Sequence, residues 1–145
     1  MLSRLALALL IGLAGCSSLD AFDADRGRFD ATVRGALSYD LRGSGYFSGL
    51  VSDNPPVSSI VLTDTDAPTI EFQFSGAAPT AGIYAFPDDA RATFEVERYT
   101  GTAFVATEGA VTVERPSGGT ARGTFDFTAR RGGDEITVRG SYLAE

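Results

Sequence analysis

The chain contains no histidine, no tryptophan and a single cysteine, Cys16. Without imidazole there is no Ser-His-Asp or Cys-His catalysis, no imidazole metal site and no side chain whose ordinary titration falls near neutrality. One cysteine forms no internal disulfide, so packing alone must hold the fold even in an oxidising compartment. Lysine is missing too: all 12 basic residues are arginines, set against 19 acidic residues. The formal charge of −7 opposes binding to nucleic acid or to an anionic membrane surface. No stretch reaches the roughly 20 apolar residues of a membrane-crossing helix. The glycine-rich segments Arg42–Gly45 and Ser117–Gly119 lack both the lysine and the following helix of a phosphate loop and are read as turns or bends. No cofactor is expected.

What is present begins with the leader. Arg4 precedes the apolar run Leu5 to Ile11, and Gly12-Leu13-Ala14-Gly15-Cys16 closes it with small residues, the plan of an export signal. The segment Leu13-Ala14-Gly15-Cys16 resembles the lipobox of bacterial lipoproteins. That resemblance implies cleavage before Cys16, acyl chains such as palmitate on its thiol and new amino terminus, and attachment to the membrane through them. Several chains on one residue make an effectively permanent anchor, since each buried methylene adds about 0.8 kcal/mol. Ser17 at the second mature position resembles the pattern sorted to the outer membrane where the source has two membranes. Loss of Arg4 with the leader takes the basic count from 12 to 11 and the net charge from −7 to −8. Three parts are expected: a signal peptide over 1–15, a lipid-anchored N-terminus and flexible acidic tether over 16–28, and one domain over 29–145.

Beyond the tether the apolar period is two. Phe29, Ala31, Val33, Leu37, Tyr39 and Leu41 share one parity and charged or hydroxyl residues take the other, as in a sheet with one wet face. Ile70, Phe72 and Phe74 repeat the pattern, and so do Ala92, Phe94 and Val96. The segment 121–142 reads as a hairpin about Gly132-Gly133, with Phe125, Phe127, Ile136, Val138 and Tyr142 on one face. Turn residues cluster at 53–56, 64–68, 78–82, 87–89 and 116–119. Asp88–Ala92, after Pro87, is the one candidate for a helical turn. The fold class is all-β: a single antiparallel β-sandwich or flattened barrel of roughly eight to ten short strands.

The segments Gly82–Phe86, Glu108–Val113, Gly123–Ala129 and Ile136–Tyr142 resemble the ending of small β-rich bacterial lipoproteins of unknown function. That resemblance implies fold and location and no activity.

Candidate chemistry is sparse. Asp64 and Asp66 place two carboxylates on one turn and are the candidate calcium ligands, with Asp53, Asp88 and Asp89 elsewhere. They lack the spacing and closing glutamate of an EF-hand, so solvated acidic turns explain them better. Tyr46, Tyr84, Tyr99 and Tyr142 are candidates for a sugar- or peptide-binding face. No nucleophile, base or cofactor loop is recognisable, so no enzymatic activity is expected. The expected function is that of a membrane-anchored envelope lipoprotein whose β domain acts as a binding or assembly module at the cell surface, with a protein or glycan partner and no nucleic acid. The alternatives are an envelope structural component and a carboxylate-dependent glycan hydrolase.

Overall fold

The period-two alternation becomes nine antiparallel strands in the computed structural model, which describes residues 27–64, 68–97, 102–114 and 120–145. They are β1 (Arg28–Gly35), β2 (Tyr39–Asp53), β3 (Pro56–Asp64), β4 (Thr69–Ser75), β5 (Gly82–Ala85), β6 (Ala90–Glu95), β7 (Phe104–Val113), β8 (Ala121–Arg131) and β9 (Asp134–Ala144). Neighbours pair in the order β1-β2-β3-β4-β6-β7-β8-β9, and the β1–β9 pairing closes the sheet on itself. The result is an eight-stranded barrel with one additional strand. Of the two expected architectures, the flattened barrel is the one formed, and closure leaves no free edge along most of its length.

The additional strand continues a neighbour. Phe94 and Thr93 of β6 pair with Phe104 and Val105 at the start of β7, while Ala85 to Gly82 of β5 pair with Ala110 to Val113 at its end. Between them the turn at 86–89 folds back: Asp89 N donates to Ala85 O at 2.9 Å, and Ala85 N donates to Asp89 Oδ2 at 3.1 Å. The helical turn expected at Asp88–Ala92 is not formed, because β6 begins at Ala90. Asp89 closes the turn with its side chain, and Ala90 and Ala92 alternate with Arg91 as strand residues facing in and out. The glycine run Arg42–Gly45 is likewise no turn but the middle of β2. Its glycines face inward, where a Cβ on Gly43 would stand 2.9 Å from the Phe29 ring.

Inside, Phe72 sits among Phe86, Phe125, Phe127 and Tyr142, with ring centroids 5.2 to 6.2 Å away. Both faces of the closing hairpin are as expected: Phe125, Phe127, Ile136, Val138 and Tyr142 are buried, and Arg122, Asp126, Arg130 and Arg139 are exposed. Outside, opposite charges face each other across the strands, as in Asp30–Arg42 at 2.9 Å, Asp126–Arg139 at 2.9 Å and Arg130–Glu135 at 2.6 Å. Such exposed pairs each contribute at most about 1 kcal/mol, but they show which side meets water. A barrel that spans a bilayer turns an apolar band outward; here phenylalanine is inside and arginine outside.

Strand direction defines two ends. β1, β3, β6 and β8 run toward one, called distal, and β2, β4, β7 and β9 run back to the proximal end, where Gly27 leads into β1. At the proximal end the last residue, Glu145, is tied to β2, its O accepting from Phe47 N at 2.9 Å. Leu13 to Cys16, Ser17 and most of the expected tether lie outside the described residues, and β1 begins at Arg28, opposite Leu143.

Candidate functional site

The distal mouth is assembled from the turns that the alternating sequence leaves between strands. Gly35, at φ +121°, ends β1 where a Cβ would stand 2.5 Å from Glu135 O, and Ala36 N then donates to that same oxygen at 2.9 Å. The turn thus fastened to β9 delivers Leu37 and Tyr39 to the mouth on the inward parity, half-buried. Tyr39 reaches across the barrel, its ring 6.1 Å from Phe94 of β6. Val96, two residues beyond Phe94 on the same face, is also half-buried.

Tyr39 and Val96 line two depressions. One, of about 320 Å³, adds Leu37, Glu97, Thr102 and Arg131. The other, of about 410 Å³, adds Asp40, Leu41, Asp64 and Pro68 and shares Glu97. The mouth therefore has an apolar middle, Arg131 on one flank, Asp40 and Asp64 on the other, and Glu97 bordering both. Volumes of this order suit small ligands or single side chains of a partner.

Arg131, the last residue of β8, is held in place. Its guanidinium lies over the Phe104 ring at 4.2 Å from the centroid, and Nη1 donates to Thr102 O at 3.3 Å. A cation over an aromatic face gains about 0.5–1 kcal/mol even when exposed, and with the bond to Thr102 O it gives the guanidinium two points of attachment. Opposite, Asp40 is paired with Arg34 at 2.5 Å, and Asp64 Oδ2 accepts from Arg42 N at 3.4 Å.

The acidic candidates do not converge. Asp64 ends β3 at the distal rim, Asp53 ends β2 at the proximal end, and Asp88 and Asp89 occupy the turn between β5 and β6. Asp66 lies outside the described residues. Among the described residues no group of three or more acidic, histidine or cysteine side chains could hold a metal ion.

The expected tyrosine face is not formed by the residues described. Tyr46 points outward from β2 and is 38% exposed, whereas Tyr142 is buried in the barrel. Tyr84 packs edge-on against Phe74 at 4.9 Å and donates its hydroxyl to Thr80 O at 2.8 Å, covering the proximal interior. Tyr99 lies outside the described residues. Among the described residues the tyrosine that reaches the distal mouth is Tyr39, which sequence parity places with the core. Its neighbour Leu37, inward at the very turn, was the one signal that this parity runs out into an opening.

A larger depression of about 500 Å³ lies on the outer wall, with Asp30, Thr32, Arg42, Arg139 and Ser141 among its lining. Its arginines are already engaged, Arg42 by Asp30 and Arg139 by Asp126, and it has no aromatic floor. The mouth, where apolar side chains and charge meet, is the better candidate. Comparison with family models, with curated proteins and with solved structures finds no match.

Proposed function

We propose that the protein is an exported lipoprotein, anchored to the cell envelope by acyl chains on Cys16, and that its barrel binds a protein or glycan partner through the distal mouth without turning over a substrate. The observation that carries this reading is the separation of ends. The chain leads into the barrel at the proximal end through Gly27, and the half-buried Leu37, Tyr39 and Val96 lie at the opposite end. An anchor upstream of Gly27 would hold the proximal end toward the bilayer and leave the mouth free to meet partners. The charged outer wall supports a barrel that stands in water beside the membrane.

A photo-crosslinking residue at Leu37 tests the reading in intact cells, with one at Asn54 in the proximal β2–β3 turn as control. A specific adduct from Leu37 and none from Asn54 is expected. Adducts from Asn54 alone, or from neither, would remove the mouth as the working surface. The glycan-hydrolase alternative has Asp40, Asp64 and Glu97 around one depression as its candidate carboxylates. Glycan cleavage by the purified protein, lost on Asp64→Asn or Glu97→Gln, would replace the binding reading with it.

A further inference from the structure

We propose that the depression beside Arg131 binds a small amphipathic carboxylate, its carboxylate on the guanidinium and its apolar chain against Leu37, Tyr39 and Val96. This rests on the reading of the mouth as the working surface and gives that surface a ligand class.

Arg131 is positioned before any ligand arrives, its guanidinium over the Phe104 ring and its Nη1 bonded to Thr102 O. Among the described residues the one carboxylate within 4 Å of its guanidinium is Asp134, 3.9 Å from Nη2 and beyond hydrogen-bond range, so donors of the fork remain for another acceptor. The side chain is 35% exposed and lines the depression. A planar fork held by the Phe104 ring and the Thr102 carbonyl matches the two oxygens of a carboxylate in a bidentate pair. Glu97 at the rim is exposed and has a partner of its own. With Glu97 and Asp134 close by, a single negative charge is favoured over the double charge of a phosphate monoester, which both would repel.

The apolar half of the ligand is set by the other wall. Leu37, Tyr39 and Val96 pack on the core yet stay partly open, and burying their remaining apolar surface is favourable. The volume of about 320 Å³ sits at the lower end of small-ligand sites. It admits one short chain or ring.

The test uses the chain without its leader and with Cys16→Ser, isotopically labelled and titrated with octanoate, octylammonium and octanol while amide shifts are followed by NMR. Octanoate should bind tightest and move the signals of Leu37, Tyr39, Val96 and Arg131. Arg131→Gln should weaken it roughly tenfold or more, as loss of a charged hydrogen-bonding partner does. Leu37→Glu, which brings a carboxylate into the depression without touching the Phe104 stack, should weaken it as much while the melting transition stays cooperative. Equal affinity for the three probes, or octanoate binding unchanged in either folded variant, overturns the carboxylate proposal, as does the absence of shifts at the mouth. The Leu37 crosslink in cells is scored separately: if it persists while octanoate fails, the mouth still serves a partner and only the ligand class is wrong.

Discussion

Tyr142 of β9 stands opposite Gly123 of β8, and its hydroxyl donates to Thr112 O on β7 at 2.8 Å. The bond makes a link across three strands, from β9 over β8 to β7, and it is possible because Gly123 has no side chain: a Cβ there would strike the same Thr112 oxygen. Phe29 with Gly43, Phe125 with Gly140 and Phe127 with Gly109 repeat the pairing of an aromatic ring with a cross-strand glycine. Glycine lets a small barrel coil tightly, and the ring fills the space it leaves.

Tyr142→Phe keeps the ring and strands the Thr112 carbonyl, so a loss of about 1–2 kcal/mol is expected in urea unfolding. Gly123→Ala should cost more, because the backbone of β7 must give way. If Tyr142→Phe proves neutral, water or another donor satisfies Thr112 O and the three-strand link carries no stability.

The same phenol sets a pH dependence. Burial first, then repulsion from Glu114 and Tyr84, raises its pKa well above the ordinary value of about 10. In the unfolded chain it ionises near that ordinary value, so above about pH 10 the unfolded state gives up a proton that the folded state keeps. Its contribution is complete below about pH 10 and falls as the pH rises beyond it. Denaturation midpoints from pH 8 to about pH 11.5 should therefore decline less steeply for Tyr142→Phe than for the parent. Parallel declines would show that the phenol is not protected.

In the closing hairpin, Phe125→Ala or Phe127→Ala should each cost about 3–5 kcal/mol. Both rings are buried and both touch Phe72. Asp126→Ala removes one exposed partner of Arg139 and should cost less than about 1 kcal/mol. Gly140→Ala belongs with the costly group, because its Cβ would stand 2.6 Å from Phe125 Cζ and closer still to Asp30 O. A chemical-denaturation series ranks the four, and equal losses for Asp126 and Phe127 would mean that the faces of β8 are misassigned.

What the sequence made legible was local. The hairpin about Gly132-Gly133 needs only alternation and a turn whose first glycine adopts φ +60°, and the cluster at 53–56 turns where Asn54 and Pro55 separate β2 from β3. What stayed hidden was either long-range or a break in period. Closure depends on Val33 meeting Val138, partners that no local pattern connects. In β7 the inward parity passes from Phe104 and Ala106 to Val111 and Val113. The register shift between Ala106 and Glu108 causes this, and Gly109 at φ +113° follows it. The mouth was hidden for the same reason, since Tyr39, Val96 and Arg131 come from separate hairpins that only the closed barrel brings together. The proposal for Cys16, by contrast, rests on a short linear resemblance and draws on no part of the fold.

That motif yields the last prediction. Cys16→Ser removes the only thiol in the chain and with it the proposed acceptor of acyl chains. The variant should lose labelling by a fatty-acid analogue and move from the membrane fraction to the soluble fraction. The barrel should be unaffected, because the described residues from Phe29 to Ala144 supply a core of their own. The melting transition of the released variant should match that of the detergent-extracted parent within about 0.5 kcal/mol, the scatter of a surface change. Release with an unchanged fold would separate anchoring from folding. Equal labelling of both forms, or retention of the variant in membranes washed with high salt, would show that something other than Cys16 holds the protein there, and the lipoprotein reading would fall with the orientation of the mouth that depends on it.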